Sequence, residues 1–110
     1  MNKRKKLGQH FLKSKTIAKS IVSNAKITRN DVVLEVGTGH GILVPYMCKN
    51  AKRVYSIERD RSLHLSAKLN FDYPNLILEH GDGFNSKYNF SIFISNLPYS
   101  KSRFAIEWLL

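Results

Sequence analysis

The chemistry-bearing residues of this chain fall in three short stretches. Gly37-Thr38-Gly39-His40-Gly41 spaces three glycines by single residues, which lets a ligand approach the backbone and its N–H groups directly. Glu58 follows seventeen residues after Gly41. A carboxylate placed beside such a loop can accept both hydroxyl protons of a ribose. His80-Gly81-Asp82-Gly83-Phe84 then offers a carboxylate that can accept from an exocyclic amine and an aromatic ring that can contact a base face. Each has a plainer alternative: a tight turn, a solvated strand-end glutamate and a Gly-Asp-Gly turn, the last being the stronger reading in isolation. Together they suggest a nucleotide-like cofactor. Ile42 stands where a dinucleotide fold would place its third glycine, which argues against NAD.

The elements that must position these residues are legible in outline. Val32, Val33, Leu34 and Val36 read as a strand buried on both faces, running into the glycine loop. Ile42 to Asn50 reads as the following helix, with Pro45 tolerated in its first turn. Val54 to Glu58 is a second strand, and Asp60 caps a helix from Arg61 to Asn70. Asp72-Tyr73-Pro74-Asn75 turns into a third strand, Leu76 to Glu79. Phe90 to Ser95 is the fourth, ended by Asn96-Leu97-Pro98-Tyr99, and Ser102 starts a helix through Phe104, Ala105, Ile106 and Trp108. Upstream, Ser14 caps a helix to Asn24, with Ile17, Ala18, Ile21, Val22 and Ala25 on one face. Alternating strands and helices predict an α/β domain with a parallel sheet.

Composition narrows the function classes. The 110 residues suit a single small domain, and no apolar run approaches the ~20 residues of a spanning helix. With no signal-peptide pattern and one cysteine, Cys48, the chain is expected in the cytoplasm, with Cys48 a small buried core residue. The histidines at 10, 40, 64 and 80 show no metal-ligand spacing, so no metal is expected. Neither a nucleophile elbow nor a Walker-type lysine loop is present. The net charge is +10. Residues 1–30 hold nine Lys or Arg and no Asp or Glu, whereas residues 31–110 hold nine basic against eight acidic side chains. The expected organisation is a basic N-terminal arm and helix, 1–30, followed by a cofactor-binding domain, 31–110. Such an arm suits a nucleic-acid partner, the plainer reading being a solvated tail.

Taken in order, Leu7-Gly8-Gln9-His10-Phe11-Leu12, Glu35-Val36-Gly37-Thr38-Gly39-His40-Gly41, Glu58, Gly81-Asp82 and Asn96-Leu97-Pro98-Tyr99 resemble the rRNA adenine N6-dimethyltransferases. That family includes small-subunit dimethyladenosine transferases and erythromycin-resistance methylases. The resemblance implies a Rossmann-like S-adenosylmethionine-dependent methyltransferase fold, here its N-terminal part, with four parallel strands in the order 3-2-1-4 and flanking helices. The later strands and a helical C-terminal domain would be absent, leaving strand four an exposed apolar edge.

The resemblance also assigns roles. Gly37 and Gly39 would approach S-adenosylmethionine, Glu58 would hold its ribose and Asp82 its adenine amine. Gln9, His10 and Leu12 would close over the donor; many relatives carry asparagine at the position of His10. Asn96 would lie near the methionine end and the target base, and Tyr99 would stack on that base. The N6 amine of adenine is a poor nucleophile because its lone pair is delocalised into the ring. The Asn96 side-chain oxygen and the carbonyl of Leu97 or Pro98 would accept its two protons and aim the nitrogen at the methyl carbon. The implied function is dimethylation of small-subunit rRNA, with rRNA as partner. A resistance methylase acting on the large subunit, a DNA adenine methylase and a non-catalytic RNA-binding module are the alternatives.

Overall fold

A computed structural model describes residues 15–85, 87–97 and 103–108. The first helix, α1, covers 15–24 of these and buries Ala18 and Val22, with Ala25 just beyond its end. Ile17, expected on the same apolar face, is 44% exposed and sits at the margin of that stripe. Lys26 reverses the backbone with φ 53°. The Asp31 carboxylate then closes a turn by accepting from the Thr28 amide at 2.8 Å and the Thr28 hydroxyl at 3.1 Å.

From that turn the chain enters β1 (Val32–Val36), followed by α2 (Val44–Asn50), β2 (Arg53–Glu58), α3 (Arg61–Asn70), β3 (Leu76–His80), a 3₁₀ turn (Gly83–Asn85), β4 (Ile92–Leu97) and β5 (Arg103–Trp108). The sheet order is β3-β2-β1-β4-β5. β1, β2, β3 and β4 are parallel, so the expected 3-2-1-4 arrangement is present.

The alternation along the strands sorts the core into two faces. On one, Val33, Val54, Ile92 and Ile94 meet Val22 of α1 and Val44, Met47 and Cys48 of α2. On the other, Leu34, Val36 and Ile57 pack with Tyr55, Tyr88, Phe90 and Phe93. There the Tyr55 and Tyr88 rings stack with centroids 3.9 Å apart.

Several element limits differ from the sequence reading. α2 begins at Val44 rather than Ile42, because Gly41 N–H donates to the Thr38 carbonyl and closes a turn that delays the helix. Its free C-terminal carbonyls are satisfied from a distance: the Asn75 amide donates to Cys48 O at 2.8 Å and Ala51 O at 3.0 Å. Asp60 caps α3 as expected, accepting from Leu63 N–H at 3.0 Å. β4 begins at Ile92 rather than Phe90, where the Ser91 hydroxyl accepts from Val32 N–H and donates to Asp31.

The largest difference lies after β4. Arg103–Trp108 is a strand antiparallel to β4, pairing Ile92 with Trp108 and Leu97 with Arg103. The helix expected there is absent, and β4 is not an edge. Phe104, Ile106 and Trp108 recur at period two as well as fitting a helical stripe, and so short a segment cannot separate the two periods. The unpaired hydrogen-bonding edge of β4 decides in favour of the strand.

None of the described helices is long and apolar enough to cross a membrane.

Candidate functional site

The carboxyl ends of β1, β2 and β3 are laced together by backbone hydrogen bonds. Gly37 N–H donates to the Ile57 carbonyl at 2.8 Å, and Gly81 N–H donates to the Glu58 carbonyl at 3.0 Å. The Glu58 side chain, only 7% exposed, completes the lacing. Its Oε1 accepts from Gly39 N–H at 2.8 Å and its Oε2 from Asp60 N–H at 2.7 Å. One carboxylate therefore fixes both the glycine loop and the start of α3.

The loop itself is held in a conformation that glycine alone adopts easily. Gly37 and Gly41 have φ of 94° and 76°. At Gly41 a Cβ would also meet the Phe71 ring at 2.2 Å, so both backbone and space exclude a side chain. Gly81 is different: an added Cβ there has nothing within 4 Å. Beside it, Asp82 Oδ1 accepts from Phe84 N–H at 3.0 Å, and the Phe84 ring is 66% exposed.

Below the loop lies a buried polar chain that sequence reasoning missed. Thr38 Oγ1 and Ser56 Oγ are 2.7 Å apart, and the Ser56 hydroxyl donates to Glu35 Oε1. Glu35 and Ser56 face each other across β1 and β2 in register. Glu35 is fully buried, its Oε2 has no hydrogen-bond partner, and burial pushes its pKa from 4.5 up to about 8. The only signal for it in the sequence is a glutamate and a serine inside strands otherwise built of apolar residues.

A second feature that sequence reasoning missed flanks Glu58. His64 of α3 lies with its ring centroid 5.6 Å from that of His80, and its Nδ1 is buried without a partner. Burial, then the charges of Lys68 and His80, hold the His64 pKa below its usual value.

The residues singled out from sequence are thus brought together in part. Gly37, Gly39, Glu58 and Asp82 share the carboxyl edge of the sheet. Ser95 lies opposite Val36, so the backbone of Asn96, one residue on, is level with Gly37 across the β1/β4 boundary. This is where the chain order reverses direction across the sheet, the usual place for a ligand crevice in such folds. Leu97 ends β4. Gln9, His10, Leu12, Pro98 and Tyr99 lie outside the described residues. Among the described residues no group of three or more His, Cys, Asp or Glu could hold a metal ion.

The model of the ribosomal RNA adenine dimethylase family matches residues 1–110. The chain belongs to that family. Its curated relatives include a probable ribosomal RNA small subunit methyltransferase A from Methanococcus aeolicus, 39% identical over 106 residues, covering 93% of this chain and 39% of the relative. The similarly named Pyrococcus abyssi protein is 35% identical over 98 residues, covering 88% and 36%. This dimethylase-family chain therefore spans roughly two-fifths of the length of the curated relatives it matches. Among solved structures, a dimethyladenosine transferase from Plasmodium falciparum superposes with a TM-score of 0.67 at 33% identity, covering 76% of this chain and 32% of that one. The 23S rRNA methyltransferase ErmE gives 0.63 at 25%, covering 77% and 36%.

Proposed function

We propose that this chain forms the cofactor-binding part of an enzyme that transfers methyl groups from S-adenosylmethionine to the N6 amine of adenine in rRNA. Glu58 carries the reading. Each of its oxygens accepts one backbone N–H, which leaves further acceptor capacity on both for a pair of vicinal hydroxyls. A buried carboxylate fixed by two amides is also already oriented before any ligand arrives. Gly81 supports the same site: neither crowding nor a positive φ calls for glycine there, whereas a ligand lying against the backbone beside Asp82 would.

Bound S-adenosylmethionine would supply an electrophilic methyl carbon with a neutral thioether as leaving group. The chain's own residues bind and orient. Gly37 and Gly39 keep the backbone bare where the donor approaches, Glu58 holds the ribose hydroxyls, and Asp82 accepts from the adenine amine. Gln9, His10 and Leu12 cover the donor. Asn96, with the carbonyls of Leu97 or Pro98, would accept hydrogen bonds from the two N–H groups of the target amine, and Tyr99 would stack on its ring. The transfer these residues serve would form an N–C bond at the expense of the donor's S–C bond, with the nitrogen's surplus proton released to water. Small-subunit rRNA is the favoured substrate, because the curated relatives carry that name at 35 to 40% identity, whereas ErmE is 25% identical.

Calorimetric titration of the 110-residue chain with S-adenosylmethionine, alongside Glu58→Gln and Glu58→Ala, tests the site. Saturable binding is expected, weakened at least tenfold in either variant while circular dichroism stays unchanged. Unweakened binding in a folded Glu58→Ala chain would refute the placement.

A further inference from the structure

Far from the glycine loop, the opposite end of the sheet gathers a set of cations. Chain order brings the end of α1, the Thr28–Asp31 turn, the end of α2 and the start of β2 to the amino edge of the strands. Lys26, Arg29, Lys49, Lys52 and Arg53 lie on these segments, and all five are exposed. Lys52 N–H donates to the Asp31 carbonyl at 2.9 Å, and Arg53 is in register with Val32, so the start of β2 runs beside the end of the turn that carries Arg29. The Asp31 carboxylate within this rim is half-buried and bonded to Thr28 and Ser91, and its pKa is held low by those bonds.

Stabilisation of helix ends accounts for Lys26 and Lys49, which follow or end helices and complement their dipoles. It does not account for Arg29, Lys52 and Arg53. None of the exposed large apolar residues, Ile17, Ile42, Leu65, Leu69 and Phe84, falls within 26–31 or 49–53. A protein partner is held mainly by buried aromatic and apolar anchors, whereas a phosphate backbone needs only spaced positive charge.

We infer that this basic rim is a docking surface for the phosphate backbone of a folded RNA helix. It stands about 17 Å, the rise of a five-residue strand, from the site that would take the target base. The inference rests on the RNA reading above, but not on where the cofactor binds. One element would then grip duplex phosphates while the other end presents the methyl donor, so that the fold of the RNA, not only its target nucleotide, is recognised.

The test is binding of a fluorescent RNA duplex of arbitrary sequence to the full 110-residue chain, by anisotropy, across about 50 to 200 mM salt. The rim should contribute about −4 to −5 to the parent's log–log salt slope if all five cations engage. Lys52→Gln with Arg53→Gln, and separately Lys26→Gln with Arg29→Gln, should each weaken binding about tenfold and reduce the slope by about two. Lys87→Glu, which changes net charge equally but lies near Tyr88 on the other face of the sheet, should do much less. The inference fails if the parent does not bind, if both double variants bind as the parent does, or if Lys87→Glu matches them. Equal displacement by polyglutamate of the same charge would assign the rim to an acidic protein instead, and also overturn it. S-adenosylmethionine titration of the same variants separates this failure from failure of the cofactor site.

Discussion

Glu35 should make the stability of this domain fall as pH rises, which is the reverse of the usual behaviour of a carboxylate. Burial is the main cause of its high pKa, the Ser56 hydrogen bond opposes it, and the nearby charge of Glu58 adds to it. Because the folded value of about 8 exceeds the ordinary 4.5, the folded chain binds the proton more tightly than the unfolded chain between those limits. The stabilisation is therefore complete below about pH 4.5 and is lost as pH rises towards 8. At ~1.4 kcal/mol for each pH unit, the full difference is on the order of 5 kcal/mol, comparable to the whole stability of many small domains. Glu35→Gln keeps an oxygen to accept from Ser56 and removes the titration. Urea midpoints of parent and variant between pH 5 and 9 give the comparison. His64, whose lowered pKa favours folding as pH rises, is present in both chains and cancels from the difference. The parent should lose stability relative to Glu35→Gln steadily up to pH 8. Parallel curves would refute the account and show that Glu35 is ionised in the folded chain.

Three further substitutions probe the supports of the site. Gly41→Ala should lower stability by about 2 to 4 kcal/mol, combining a left-handed backbone with the clash against Phe71, and a thermal melt within a degree of the parent would contradict it. Asp60→Ala removes the cap of α3 and should cost about 1 kcal/mol in urea unfolding, whereas Asp60→Asn should recover most of it. Ser91→Ala leaves Val32 N–H without its side-chain acceptor at the start of β1 and should cost about 1 to 3 kcal/mol; a neutral result would mean that water replaces the hydroxyl.

What was legible in the sequence follows from how far each interaction reaches along the chain. The order 3-2-1-4 came from the family resemblance, whereas the parallel sheet and the limits of α3 rest on local signals: apolar strands of five or six residues, a capping aspartate, and glycines at a strand end. These survive without tertiary information, and Asp60 caps where it was expected to. The clustering of the proposed site residues was legible by another route, since strands of one parallel sheet bring their carboxyl ends together whatever their spacing. Gly37, Glu58 and Asp82 had only to end strands to become neighbours. The Glu35–Ser56–Thr38 chain was not legible, because its members join different strands and a serine inside a strand carries no local mark of its partner. Asn75 capping α2 from 24 and 27 residues away is the same kind of contact.

The segment after β4 marks the limit of pattern reading most sharply. Phe104, Ala105, Ile106 and Trp108 suit a helix of two turns and equally a strand of six residues, so the pattern contains no preference. What decides is a property of another element: β4 offers a row of unpaired backbone groups, and β5 satisfies them from Ile92 to Leu97. A helix in the same place would satisfy its own backbone and leave that edge open. The conformation of 103–108 is thus set by whichever partner β4 has. The same strand carries Asn96, which the proposed mechanism needs at the target amine. β4 is paired with β1 as far as Ser95 and with β5 through Asn96, so the position of Asn96 at the carboxyl edge is fixed by its own register with β5 and by that of its neighbour Ser95 with β1.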